Sequence, residues 1–297
     1  MLPKTAIIGA TGLIGGEFLA QHRKIHPDCV GTSRDRTAVG MSFFDLFYPD
    51  ISPLRLVETG HRSAIIAAGI SRLQICHKDP DLSKRIVAGT VELIRQFVKA
   101  GIKPIYISSD AVFDGKKGNY DDESPTCPIN VYGQEKAEIE QAMKDIAKEN
   151  YLIARLSKVF TLEKSERNIF DEMASLLMSG RVVRAAYDQV FSCALLSDAV
   201  GAVNLLLEKS LSGVFNISSP GAWSRYDLAI KMADLLGIDR SKVEKMSLED
   251  LKEPFKRPKN TSMKITRLTQ ETNYQFTPIV QCMKDVAVNW KTAANKT

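Results

Sequence analysis

One feature near the start of the chain constrains its fold more than any other. The apolar run Thr5-Ala6-Ile7-Ile8 passes directly into Gly9-Ala10-Thr11-Gly12-Leu13-Ile14-Gly15, and an amphipathic helical pattern follows. Glycines at 9, 12 and 15 therefore fall three residues apart at a strand-to-helix junction. Lacking side chains, Gly9 and Gly12 can turn tightly and let backbone N–H groups reach phosphate oxygens, while Gly15 lets helix and strand pack closely. The positive end of the helix then faces the anion. Three glycines alone would fit an ordinary tight turn. The preceding strand and the following helix direct the reading to the pyrophosphate of a dinucleotide, with Gly9, Thr11, Gly12, Leu13 and Ile14 as contacting residues.

About twenty residues beyond such glycines, NAD-specific folds place an acidic side chain on the ribose hydroxyl. Here the second predicted strand ends Gly31-Thr32-Ser33-Arg34. Arg34, with Ser33 beside it, can pair instead with a 2'-phosphate, so NADP(H) is expected in preference to NAD(H). An ordinary surface arginine is the competing account of Arg34.

Short apolar runs at Cys29-Val30, Ala64 to Ala68, Ile105 to Ile107 and Tyr151 to Ala154 alternate with helical spacing over Leu82 to Ala100 and Ile129 to Glu149. Parallel strands need crossover helices, so the rhythm predicts an α/β fold: a Rossmann-like doubly wound parallel sheet. After Arg155 the pattern loosens into a candidate strand at Val214 to Ile217 and helices starting at Tyr226 and Leu248. A smaller C-terminal α/β substrate lobe is expected there, dividing the chain into 1–160 and 161–297 with interleaving near 155–220. No internal repeat is visible, which removes solenoid architectures.

The formal charge of +5 over 297 residues is mild and dispersed. It argues for neither nucleic-acid nor membrane binding, and it permits anionic small ligands. Five scattered cysteines and four histidines show none of the close spacings of disulfide frameworks or metal sites, so reduced thiols and no metal are expected. With no signal-peptide pattern and no apolar run near the roughly 18 residues of a membrane helix, the expected location is cytoplasmic.

A second motif carries chemistry. The run Ser108-Ser109-Asp110-Ala111-Val112-Phe113-Asp114-Gly115 follows the Ile105 strand, and Val131-Tyr132-Gly133-Gln134-Glu135-Lys136 opens a long helix. Tyr132 and Lys136, four apart, share one helical face. A lysine ammonium near a phenol lowers the phenol's pKa and makes it a usable proton donor. Ser109, at a strand's carboxyl end, can bond the same substrate oxygen. Tyr-x-x-x-Lys alone is common by chance and also describes a half-buried aromatic beside a solvated lysine. The nucleotide fold and the strand-end serine favour the catalytic reading.

These motifs, together with Tyr187-Asp188-Gln189, resemble the extended short-chain dehydrogenase/reductases, and within them the dTDP-4-dehydrorhamnose reductase branch of sugar-nucleotide reductases. The resemblance runs over almost the whole chain. It implies that Tyr132 is the catalytic acid, that Lys136 holds the nicotinamide ribose and that Ser109 binds the substrate oxygen. It also implies that Asp45-Leu46 lies by the adenine, that Ala67-Ala68-Gly69 lies under the cofactor, and that Arg257 contacts the substrate. A homodimer is the oligomer it implies. Two departures stand out: Ile86 occupies the helix position where relatives often carry asparagine, and Ala111 follows Asp110 where dehydratases carry glutamate. Without that glutamate, elimination lacks its base, and simple reduction of a 4-keto nucleotide sugar is the better expectation. An NADP-binding regulatory subunit, as in methionine adenosyltransferase, and a sugar-nucleotide epimerase are the alternatives.

Further along, Lys252, Lys256, Arg257, Lys259, Lys264 and Arg267 are opposed within their segment only by Glu253, a pattern suited to a nucleotide-sugar diphosphate or simply to a solvated basic loop. Asp188, Gln189 and Ser192 can bond sugar or nucleotide groups, and turn formation accounts for them equally well.

Overall fold

The computed structural model describes residues 1–70, 72–163 and 168–294. The first half begins with β1 (Thr5–Ile8), α1 (Leu13–Arg23) and two short strands, β2 (Thr32–Ser33) and β3 (Ser42–Phe43). Next come β4 (Ser63–Ile66), α2 (Leu73–Lys78), α3 (Pro80–Lys99), β5 (Lys103–Ser109), α4 (Val131–Ala147) and β6 (Leu152–Leu156). The second half continues with β7 (Lys158–Phe160), α5 (Ile169–Met178), β8 (Val183–Ala186), β9 (Val190–Phe191), β10 (Cys193–Leu195), α6 (Leu196–Glu208) and β11 (Gly213–Ile217). It ends with β12 (Trp223–Ser224), α7 (Arg225–Leu236), β13 (Val243–Met246), α8 (Thr266–Thr272) and α9 (Ile279–Ala294).

Five strands form one parallel sheet in the order β1, β4, β5, β6, β11. Beyond β1, Ile7 bridges to Gly31 and β2 pairs with β3, also in parallel. Alternation along the strands shows why helices cover both faces. Ile7, Ile65, Ile105, Ile107 and Phe215 turn to one side and pack with Phe18 and Leu19 of α1 and Val203 and Leu206 of α6. Ala6, Ile8, Ala64, Ile66 and Tyr106 turn to the other and meet Leu93, Ile94 and Phe97 of α3 and Ile139 and Met143 of α4. Strands apolar on both faces fit a sheet sandwiched between helix layers. The expected doubly wound parallel sheet is the observed one.

A separate core joins α5, α7 and α9 with β8 and β10, through Phe170, Met173, Met232, Val183, Cys193 and Met283. Trp223 packs against this core. Two sequence expectations shift. Cys29-Val30 lies just before β2, although the Val30 carbonyl still accepts the Ile7 N–H at 2.8 Å. The helix expected from Leu248 is one 3-10 turn, Leu248–Leu251, because Lys252 adopts a left-handed φ of 47° and Pro254 follows two residues later. No helix among the described residues is long and apolar enough to cross a membrane.

Candidate active site

The glycine turn is shaped by close backbone approaches. Gly9 has φ +89°, and a Cβ there would lie 2.7 Å from both the N and Cα of Ala68. A Cβ on Gly15 would lie 2.2 Å from the Gly9 carbonyl oxygen. Only hydrogen fits at either place, so α1 can start directly over the end of β1. Thr32 braces the loop: its hydroxyl accepts the Gly9 N–H at 3.1 Å and its carbonyl the Ala10 N–H at 2.8 Å. No described side chain caps α1, and its first turn carries no acidic residue. The helix end is open to an anion, with Thr11, Gly12 and the 50%-exposed Leu13 standing out toward solvent. Ile14 is half-buried beside them, and Ala67, Ala68 and the exposed Gly69 follow β4 on the other side. This cradle fits a dinucleotide diphosphate.

Beyond β2, arginines gather on two aromatic rings. The Arg34 guanidinium lies 6.0 Å from the Phe47 ring centroid and that of Arg85 lies 4.1 Å from it, while Arg36 stacks 3.5 Å over Phe43. Arg36 and Arg85 escaped the sequence reading; Arg36 was two residues from a visible signal, and Arg85 arrives from α3. Ser33 is buried and its hydroxyl accepts the Asp35 N–H at 2.9 Å. Asp45 turns inward on its own segment, accepting the Phe47 N–H at 3.0 Å. The Leu46 carbonyl presses on Gly89, where a Cβ would approach it to 1.9 Å. The expected adenine-side residues thus form one loop seated on α3.

Ser109, Tyr132 and Lys136 come together at the carboxyl end of β5. The Ser109 hydroxyl lies near the Tyr132 phenol, accepts the Ala111 N–H at 3.2 Å and donates to Asp110 at 3.0 Å. Thr261 donates to the other Asp110 oxygen at 2.7 Å. Gly133 sets this geometry: a Cβ there would lie 2.2 Å from the Ala111 carbonyl oxygen, so α4 begins pressed onto the turn that carries Ser109. Asn130 caps α4 by accepting the Gly133 N–H at 2.9 Å and donates to the Lys256 carbonyl at 3.1 Å. One side chain thus ties the Tyr132 helix to the basic loop.

The electrostatics differ from the sequence expectation. Burial pushes the Tyr132 phenol up, with the Ser109 contact opposing it. Lys136, itself lowered by burial, donates to the Ile107 carbonyl at 3.2 Å and lies 5.7 Å from the Tyr132 ring centroid. Its ammonium is thus bonded to the β5 backbone on the Tyr132 ring side. Behind Tyr132, Glu140 and Arg155 form a fully buried pair at 2.7 Å that also receives the Ser108 hydroxyl at 2.6 Å. Nothing in their spacing marked them as partners.

The second-half residues are distributed more widely. Asp188 accepts from the Ser247 hydroxyl at 2.9 Å and the Leu248 N–H at 2.6 Å. The Gln189 carbonyl accepts the Arg225 N–H at 3.0 Å. Ser192 is wholly buried, donating to the Gly221 carbonyl at 2.9 Å and accepting the Met263 N–H at 3.2 Å. Arg257 faces a cleft of about 620 Å³ shared with Lys116, Lys252, Lys256 and Lys259 against Asp114, Glu249 and Glu253. It is paired with Glu253 at 2.7 Å. Arg267 is not in this cleft; it binds the Val214 and Ser212 carbonyls and lies 4.1 Å over Phe215. The basic run in the sequence is therefore split and partly neutralised by folding.

Comparison with known proteins agrees with this fold. The RmlD substrate binding domain family matches residues 4–290. A probable low-salt glycan biosynthesis reductase of Haloferax volcanii is 29% identical over 278 residues, covering 89% of this chain and 91% of the relative. A dTDP-4-keto-6-deoxy-D-glucose reductase of Streptomyces niveus is 26% identical over 265 residues, covering 88% of each chain. The crystal structure of dTDP-4-dehydrorhamnose reductase from Bacillus anthracis in complex with NADP superposes with a TM-score of 0.82 at 23% identity, over 97% of this chain and all of the other. With its glycine turn, strand-end serine and Tyr-x-x-x-Lys helix on one doubly wound sheet, and the family model matched over residues 4–290, this chain belongs to the RmlD substrate binding domain family.

Proposed function

We propose that the protein is an NADPH-dependent reductase of the 4-keto group of a nucleoside-diphosphate 6-deoxy sugar, serving activated-sugar and polysaccharide biosynthesis. The observation that carries this reading is the convergence of Ser109, Tyr132 and Lys136 at the sheet edge toward which the glycine cradle opens. Family membership and the reductase relatives support it.

NADPH supplies the hydride that reduces the carbonyl carbon. Gly9, Thr11, Gly12, Leu13 and Ile14 hold its diphosphate, and Ala67, Ala68 and Gly69 lie along it. Ser33 and Arg34, rimmed by Arg36 and Arg85, receive the adenosine phosphate beside Asp45 and Leu46. Tyr132 gives a proton to the carbonyl oxygen, Ser109 orients that oxygen, and Lys136 holds the ribose and a positive charge on the Tyr132 ring side. To donate to that carbonyl oxygen, the Ser109 hydroxyl turns its one proton away from Asp110. Arg257 and its lysine neighbours receive the sugar-nucleotide diphosphate, with Asp188, Gln189 and Ser192 shaping that side of the lobe. Ala111 brings no acid or base for elimination, which favours reduction over dehydration.

In this reading, 1–160 forms the cofactor half and 161–297 the substrate lobe, apart from α6 and β11, which return to the main sheet. The protein works in the cytoplasm and as a homodimer; light scattering on the purified chain reads the oligomer. The function is tested by mixing the protein with NADPH and a panel of 4-keto nucleotide sugars while following cofactor absorbance. Wild type oxidises NADPH, and Tyr132→Phe binds NADPH but loses on the order of 10²-fold or more in turnover. Binding without oxidation across the panel would assign a regulatory subunit, and sugar interconversion without net oxidation an epimerase.

A further inference from the structure

In the cleft that Arg257 faces, the chain itself already places an anion on that arginine. Both Glu253 carboxyl oxygens take guanidinium protons: Oε1 accepts from Nη2 at 2.7 Å, and Oε2 accepts from Nε. A carboxylate held this way presents two oxygens side by side, as a phosphate does. One of the forked edges with which arginine grips a phosphate is thus filled.

Helical geometry does not force this contact. Four-residue spacing brings side chains together on a helix, but Glu253 and Arg257 lie in a non-helical loop bent at Pro254 and Phe255. Nor does the pair hold the loop in place. Asn130 anchors the Lys256 carbonyl at 3.1 Å, the Lys259 carbonyl accepts the Val190 N–H at 2.6 Å, and the Asn260 N–H donates to the Gly115 carbonyl at 2.8 Å. His77 of α2 lies 5.8 Å from the Phe255 ring between centroids, and that ring lies 5.3 Å from the Arg257 guanidinium. The backbone around Arg257 is fixed by contacts that do not include Glu253, and the cation keeps an aromatic neighbour without it. Elsewhere in the cleft, Lys259 sits between Glu249 at 3.0 Å and Asp188 at 3.5 Å, whereas Lys252 and Lys256 stand exposed.

Resting on the reading of Arg257 as a substrate contact, we propose that Glu253 is a displaceable counter-anion of the substrate site: its carboxylate holds the Arg257 guanidinium until the diphosphate of the nucleotide sugar takes its place. Only hydrogen bonds and ion pairs change hands; no covalent bond forms and no proton moves. Two observations favour release over retention. The paired side chains of Arg257 and Glu253 are 30% and 20% exposed, so water receives the departing carboxylate, and an ion pair at such a site is weak. A diphosphate carries more charge than one carboxylate and also engages the exposed Lys252 and Lys256. Retained at the same guanidinium, Glu253 opposes that ligand with a like charge at close range. When product leaves, the carboxylate returns to Arg257. Glu253 thereby lowers the affinity of every anion that takes this edge and keeps product from lingering.

Calorimetric titration of the purified chain with thymidine diphosphate and with inorganic pyrophosphate reads the exchange without turnover. Glu253→Gln is expected to tighten both ligands by on the order of fivefold, the worth of a partly exposed ion pair. Glu253→Asp keeps the charge but is one methylene too short for the two-point grip, so it also tightens them, and it carries the comparison if the amide variant does not fold. Wild-type affinity in Glu253→Asp reduces Glu253 to a charge near the cleft, and weaker binding in Glu253→Gln makes it a fixed support of Arg257; either result overturns the proposal. In kinetics, Glu253→Gln lowers KM for the nucleotide sugar by a similar factor, changes kcat less, and strengthens inhibition by thymidine diphosphate. Arg257→Gln separates the two readings. If it binds pyrophosphate as wild type does, Arg257 is no diphosphate contact and the proposal falls with it. If no sugar is reduced while the Glu253 variants still bind diphosphate more tightly, the exchange stands and the reductase reading alone fails.

Discussion

At the scale of single residues, what could be read from the chain depended on whether the cause was local. Gly15 was legible because the force on it comes from its own turn, whereas Gly9, equally visible in the motif, is also held by the Ala68 backbone after β4. Structure adds the clearance: a methyl on Gly15 would sit 2.2 Å from the Gly9 carbonyl oxygen and 2.9 Å from its carbon. Gly15→Ala must push α1 off β1. We expect it to cost about 1–3 kcal/mol, as overpacking does, and to weaken NADPH binding; thermal melting and fluorescence titration check the two effects. The protonation of Tyr132 was not legible. Four-residue spacing puts Lys136 on the same face, but the Ile107 carbonyl, which takes the ammonium, belongs to a different element. Ser192 makes the same point, since its hydroxyl bonds come from Gly221 and Met263, both remote in sequence.

Among elements, the five main-sheet strands and helices α3, α4 and α7 appeared at nearly their observed positions because apolar periodicity records which face is buried, while α5, α6, α9 and the short strands of the second half went unread. The Leu248 turn was overread, since its apolar spacing persists where Lys252 and Pro254 end the helix. Asn130 shows what an element boundary can add to function. Its side chain accepts the Gly133 N–H at 2.9 Å and donates to the Lys256 carbonyl at 3.1 Å, so the cap of the Tyr132 helix also anchors the loop before Arg257. Asn130→Ala is expected to destabilise the protein by about 1 kcal/mol through the lost cap. It should raise KM for the nucleotide sugar while NADPH affinity holds. Denaturant unfolding and steady-state kinetics check both, and an unchanged KM would remove Asn130 from substrate positioning.

For the whole molecule, the return of α6 and β11 to the first sheet joins the two halves. At that seam, the Nε2 of His22 on α1 lies 3.0 Å from the Asn204 amide oxygen on α6, and the ring is fully buried. Burial lowers its pKa from 6.5 to about 4, with the Asn204 bond opposing. The unfolded chain therefore takes up a proton that the folded one refuses as pH falls through this interval. Stability contributed by neutral His22 is present above pH 6.5 and is lost on the way down to about 4, by about 3 kcal/mol at the acid end. His61, also lowered by burial, acts with the same sign. Urea unfolding between those pH values should show this slope, and His22→Gln should flatten most of it.

Residues alone decided the sheet class, the glycine turn at the start of α1 and the shared face of Tyr132 and Lys136, because each rests on short-range sterics or on periodicity within an element. Folding alone decided which distant partners met. It placed Thr261 on Asp110, Glu140 against Arg155, Arg85 at the Phe47 ring that Arg34 also approaches, and Glu249 on Lys259 of the basic run. Such contacts depend on how close separate elements approach across the core, and that distance is written in no single stretch of chain.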